Sequence, residues 1–117
     1  MGGIIMNLCF DVMFEDEVVA SICIENNRLI KAETYTDITF KQPFLKKPIS
    51  IEYVKAFLES RTVDRNKPDI QDILRSLGLG EYNIIEILKK THGTDFDDFT
   101  WVRFKGENLT WKDVKLR

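Results

Sequence analysis

The sequence predicts an α+β domain in which an N-terminal antiparallel β-meander is followed by three helices and a return strand. Three observations predict it. The first third of the chain alternates apolar residues at period 2, the middle places them at helical spacing between capping residues, and a later segment returns to period 2. At 117 residues the chain has the length of one domain, residues 1–117, with enough material for a single core.

From Ile4 to Phe14 the even positions are Ile4, Met6, Leu8, Phe10, Val12 and Phe14, a face that fits a strand packed on a core. The odd face is mixed, with Asn7 and Asp11 beside Ile5, Cys9 and Met13. Acidic residues Glu15 to Glu17 predict a turn, and "VVASICIE" then supplies a second strand with Val18, Ala20, Ile22 and Ile24 on one face. Asparagine tolerates positive φ, so Asn26-Asn27 suits a two-residue hairpin turn into "RLIKAETY". A weaker fourth strand is expected through "DITF", Asp37 to Phe40.

Pro43 and Pro48 mark a connection, because proline lacks the N–H that a ladder needs. Ser50 is the expected N-cap of a helix carrying Ile51, Val54, Phe57 and Leu58 on one face. The second helix, "PDIQDILRSLGL", has Pro68 in its first turn, Ile70, Ile73, Leu74 and Leu77 on one stripe, and Gly78 as its stop. The third follows Asn83, with Glu86 as capping-box partner, and is expected to stop at Gly93. In the return strand, Phe99, Trp101 and Arg103 alternate with Thr100, Val102 and Phe104. "LTWKDV" ends the chain as a short helical turn capped by Thr110.

Composition excludes several functions. The formal charge is −2, from 17 basic and 19 acidic residues, which does not predict direct nucleic-acid binding. Cys9 and Cys23 fall in apolar runs, where buried free thiols and a cytoplasmic location are expected. The apolar opening is interrupted by Asp11, lacks a basic start and cleavage site, and has Met6 where a myristoylation pattern wants Ser or Thr. No targeting signal or membrane segment is expected.

His92, Asp95, Asp97 and Asp98 crowd potential ligands into the stretch "THGTDFDDF", yet their spacing is not that of a calcium loop. A single histidine, far in sequence from both cysteines, is also poor material for zinc. Ser50, Ser60 and Ser76 sit in helical patterns with no nucleophile elbow, and Gly78 and Gly80 lack the following Lys-Ser or Lys-Thr of a phosphate loop. No catalytic residue, metal or cofactor is therefore expected, and the chain reads as a non-enzyme. Basic residues concentrate near the end of the sequence with Trp101 and Trp111 between them. Arg and Trp often dominate interfaces, so the expected partner-binding residues are Trp101, Arg103, Trp111 and Arg117, with Asp97 and Asp98 as polar rim contacts. The competing reading makes both tryptophans core anchors.

Between Phe57 and Val114 an ordered series of motifs appears: Phe57-Leu58-Glu59-Ser60-Arg61, Ile70 to Leu79, Ile87 to Gly93, Asp97 to Phe104 and Leu109 to Val114. The series resembles the region ahead of the kinase core in HipA-like proteins of Firmicutes, and the N-terminal meander is similar in pattern to the small N-terminal subdomain of HipA. The ATP-binding lysine, catalytic aspartate and metal-binding residues of that family have no counterpart in these 117 residues. The resemblance implies a non-catalytic, HipS-like module of a toxin–antitoxin system that docks on a HipA-like kinase and biases its state. Two alternatives stand beside it: a phage or mobile-element inhibitor of a defence protein, of the anti-CRISPR kind, and a small metal-dependent enzyme using His92 and the nearby aspartates.

Overall fold

A computed structural model describes residues 6–116. Ile4, Ile5 and Arg117 lie outside them, so the expectations placed on those residues are not addressed. Strands β1 (Leu8–Phe14), β2 (Glu17–Glu25), β3 (Arg28–Thr34) and β4 (Thr100–Phe104) form one antiparallel sheet in the order β3-β2-β1-β4. Between β3 and β4 lie helices α1 (Ile51–Ser60), α2 (Ile70–Ser76) and α3 (Ile84–Thr91), and a four-residue helix α4 (Trp111–Val114) follows β4. The α+β arrangement, the meander and the return strand are those predicted from period and caps.

Local chemistry explains the turns. Asn26 and Asn27 both take positive φ, 51° and 64°, as a primed two-residue hairpin turn requires. Their side of the hairpin is tied to the start of β1, since Asn7 Oδ1 accepts the Asn26 N–H at 2.9 Å and Asn27 Oδ1 accepts the Met6 N–H at 2.6 Å. Ser50 Oγ caps α1 by accepting the Tyr53 N–H, and Asn83 Oδ1 caps α3 by accepting that of Glu86. At the end of α2, Gly78 at φ 77° lets the Leu79 N–H reach the Leu74 carbonyl at 2.9 Å and its own N–H reach that of Arg75 at 3.0 Å.

The helical face of the sheet carries Phe10, Val12, Ala20, Ile22, Ile24, Val102 and Phe104, buried against Val54, Leu58, Leu88 and Phe44. These are the even-numbered faces expected of β1 and β2, with one correction. Met13 pairs with Val18 while Val12 pairs with Ala20, so Val19 is an extra residue in a bulge. The bulge turns Val19 into the core and leaves Val18 half-buried.

Four further expectations are corrected. "DITF" is not a strand: the Ile38 N–H goes to Thr36 Oγ1, Gln42 Nε2 donates to the Thr36 carbonyl, and Thr39–Lys41 make a single 3-10 turn. Local side-chain bonds there replace a ladder. α2 starts at Ile70, so Pro68 belongs to the turn before it. The first left-handed residue after α3 is His92, φ 56°, ahead of Gly93. Finally, Cys9 and Cys23 are not free thiols but a disulfide. They stand directly opposite in the β1–β2 register with Cα atoms 4.1 Å apart, on the face away from the helices. Apolar runs read strand by strand do not reveal which residues face each other. No helix among the described residues is long and apolar enough to cross a membrane.

Candidate protein-interaction surface

Strand alternation sends Trp101 to the face opposite Val102, together with Met13, its partner in the β1–β4 register. Both side chains are fully buried there. The Trp101 indole N–H donates to the Glu15 carbonyl at 2.7 Å, and its ring meets His92 edge-on at 6.5 Å. Trp101 is thus an anchor of the fold and offers no surface to a partner. Arg103, on the same face, is half-buried. It pairs with Asp11 at 3.5 Å and donates to the Leu109 carbonyl at 3.4 Å, while Ser21 Oγ donates to Asp11 at 2.7 Å.

The two aspartates expected on a contact rim separate. Asp97 is exposed, its N–H held by Asp95 Oδ1 at 3.0 Å. Asp98 instead receives both guanidinium arms of Arg61, at 2.7 and 2.9 Å. Arg61 also donates from Nε to the Gly93 carbonyl and from Nη2 to that of Thr100, so one side chain at the end of α1 holds the whole connection from α3 to β4. The Arg61 hydrogen bond, reinforced by its charge and by the Thr100 N–H against the opposing effect of burial, holds the Asp98 carboxyl below the usual carboxylate range.

His92 and the aspartates near it do not converge. His92 Nε2 lies 2.9 Å from Glu107 Oε2, and Glu107 Oε1 accepts the Phe104 N–H at 2.7 Å. The His92 carbonyl accepts the Val102 N–H at 2.8 Å. The residue therefore joins the end of α3 to β4 and to the turn after it. Among the described residues no group of three or more histidine, cysteine, aspartate or glutamate side chains is placed to hold a metal ion.

What the fold gathers at the surface is aromatic. Phe40 meets Phe14 at 5.7 Å, Phe14 meets Phe99 at 5.7 Å, and Phe99 meets Trp111 at 6.0 Å, each edge to face. Four segments distant in sequence supply this row: the 3-10 turn, the end of β1, the approach to β4 and the start of α4. Two bonds hold the segments together, from the Glu15 N–H to the Phe99 carbonyl at 2.9 Å and from the Trp111 N–H to Asp16 Oδ1 at 2.8 Å. Phe40 is 75% exposed and Phe99 47%, while Phe14 and Trp111 are half-buried. Lys41 lies over the Phe14 ring at 5.2 Å and pairs with Glu17 at 2.8 Å, giving the row a charged margin.

Of the expected contact residues, Trp111 lies in this row and Trp101 does not. Phe14, Phe40 and Phe99 were missed as surface residues because periodicity assigned all three to strands. The one available signal was the lack of strand alternation around Phe40. No protein-family model, curated protein or solved structure matches the chain.

Proposed function

We propose that this protein is a non-catalytic binding module that docks on a protein partner through the Phe40–Phe14–Phe99–Trp111 row and regulates it. The observation that carries the reading is the row itself. An aromatic cluster with Phe40 three-quarters exposed keeps apolar surface in water, and pre-packed rings lose little side-chain freedom when a partner covers them. Aromatic anchors beside a charged margin are the usual composition of an interface centre. The resemblance of Phe57 to Val114 to HipA-like proteins makes a HipA-like kinase of a toxin–antitoxin system the proposed partner, with regulation arising from unequal affinity for its active and inactive states. A cytoplasmic location belongs to the same proposal, although the Cys9–Cys23 disulfide removes the free-thiol argument for it.

The test is to establish whether a HipA-like kinase is encoded in a gene adjacent to this one and to co-express the chain with it, followed by size-exclusion chromatography. The wild-type chain is expected to co-elute. Phe40→Ala and Trp111→Ala are expected to remain folded by circular dichroism and to lose co-elution. Trp101→Ala is a folding control, expected to cost about 3–5 kcal/mol of stability as a buried tryptophan. Absence of co-elution for the wild type sinks the kinase reading, and undiminished binding by both surface variants removes the aromatic row as the docking surface.

A further inference from the structure

The two edges of the sheet are unlike. The outer side of β4 is engaged, since the Val102 N–H donates to the His92 carbonyl. β3 forms the other edge. The Tyr35 N–H donates to Val19 on β2 at 2.9 Å, so alternation along the strand turns the backbone groups of Glu33 and Lys31 toward β2 and those of Ala32 and Thr34 outward. Among the described residues no hydrogen bond takes up the outward N–H and C=O of Ala32. Such an edge is a template for another strand.

We propose that this edge pairs antiparallel with the same edge of a second copy of the chain, giving a two-fold dimer with one continuous sheet. Only residues whose backbone groups point outward can face each other as a bonded pair, which leaves three symmetric or near-symmetric registers around Ala32 and Thr34. Placing Ala32 opposite Thr34 sets Glu33 against its own copy, a like-charge pair. Placing Thr34 opposite itself overlaps only the strand ends. Placing Ala32 opposite itself sets Lys31 against Glu33 of the second copy, twice by symmetry.

That register is the one that charge selects. Lys31 and Glu33 are exposed, lie on the face away from the helices, and flank the proposed axis. Lys31 makes no ion pair among the described residues, and Glu33 accepts only the Tyr35 hydroxyl at 3.1 Å. Ile30, 58% exposed at the β3 bulge, comes opposite Thr34 of the second copy. Glu33 disfavours the register that sets it against its own copy, and the lysine that ordinarily guards an edge strand is paired rather than repelled in this one. A closed two-fold contact also leaves no further edge from β3 on which a fibre could grow. The dimer uses no residue of the aromatic row and stands independently of the kinase reading.

Sedimentation over a range of concentrations tests it. The wild-type chain is expected to shift from monomer to dimer as concentration rises. Ala32→Pro removes the outward N–H at an edge position that tolerates proline, and is expected to abolish the dimer while the circular dichroism spectrum is kept. Lys31→Glu alone and Glu33→Lys alone each set like charges opposite and are expected to be monomeric. Mixed together, those two variants restore both opposite-charge pairs and are expected to form a one-to-one heterodimer. A wild type that is monomeric throughout overturns the proposal. So does a dimer that persists in both charge variants, or a mixture of them that fails to associate.

Discussion

Arg61 and Asp98 are separated by 37 positions, yet two hydrogen bonds join them as a bidentate pair. The guanidinium is largely shielded, and its four hydrogen bonds go to Gly93, Asp98 and Thr100. Lysine cannot reproduce a planar fork, so Arg61→Lys is expected to destabilise by about 1.5–3 kcal/mol in chemical denaturation. The same pair gives a pH signature. Because the folded Asp98 carboxyl is held low, its contribution to stability is present above the ordinary carboxylate pKa of about 3.9 and is lost as pH falls through the lowered folded value. Asp113, held low first by its bond from the Thr110 N–H, adds to the same acid slope. Asp98→Asn should therefore be less stable than wild type at neutral pH, with the gap closing below about pH 4. A gap that stays constant down to low pH would sink this account of Asp98.

At the scale of elements, the chain stops its helices with left-handed residues, and two glycines separate conformation from crowding. Gly78 has φ 77° with nothing within 4 Å of where a Cβ would sit. Gly93 has φ 65°, and a Cβ there would lie 3.0 Å from Arg61 Cβ and 3.3 Å from Leu88 Cδ2. Gly78→Ala is expected to cost about 1–2 kcal/mol, the penalty of a left-handed side chain. Gly93→Ala should cost more, because the added methyl also pushes on the residue that organises the α3–β4 connection. Denaturation midpoints that fall equally for the two variants would show that Arg61 yields without loss. The stop of α2 was legible in the sequence because Gly78 ends an apolar stripe, whereas the expected stop of α3 at Gly93 lay one residue beyond the left-handed cap. The left-handed turn at His92 was not legible, since histidine signals that conformation far less strongly than the glycine beside it, and it is held there by bonds to Glu107 and β4.

For the molecule as a whole, one face of the sheet is covered by helices and the other carries the Cys9–Cys23 disulfide, the Asp11–Arg103 pair and the buried Trp101. The disulfide spans 14 positions of a hairpin that its own ladder already closes. Loop-closure entropy for a loop of that size is worth about 3 kcal/mol, and that is the upper expectation for a Cys9→Ser/Cys23→Ser variant. The variant should still fold, because the ladder, the core and the Trp101 anchor do not depend on the sulfurs. A loss of cooperative thermal unfolding would contradict that. The aromatic row also belongs to this scale, since it exists only where β1, β4, α4 and the 3-10 turn meet.

The amino-acid order by itself determined the local elements. Period-2 runs marked β1, β2 and β4, the Asn26-Asn27 pair marked the hairpin, and Ser50, Asn83, Gly78 and Thr110 marked helix ends, because each acts within a few residues of itself. Tertiary structure decided what periodicity leaves open, namely which face is covered and which distant groups meet. It buried Trp101, set Cys9 against Cys23, gave Asp98 to Arg61, and brought Phe40, Phe14, Phe99 and Trp111 into one exposed row. A side chain's neighbours across tens of residues follow from how the chain closes, and no local pattern encodes that closure.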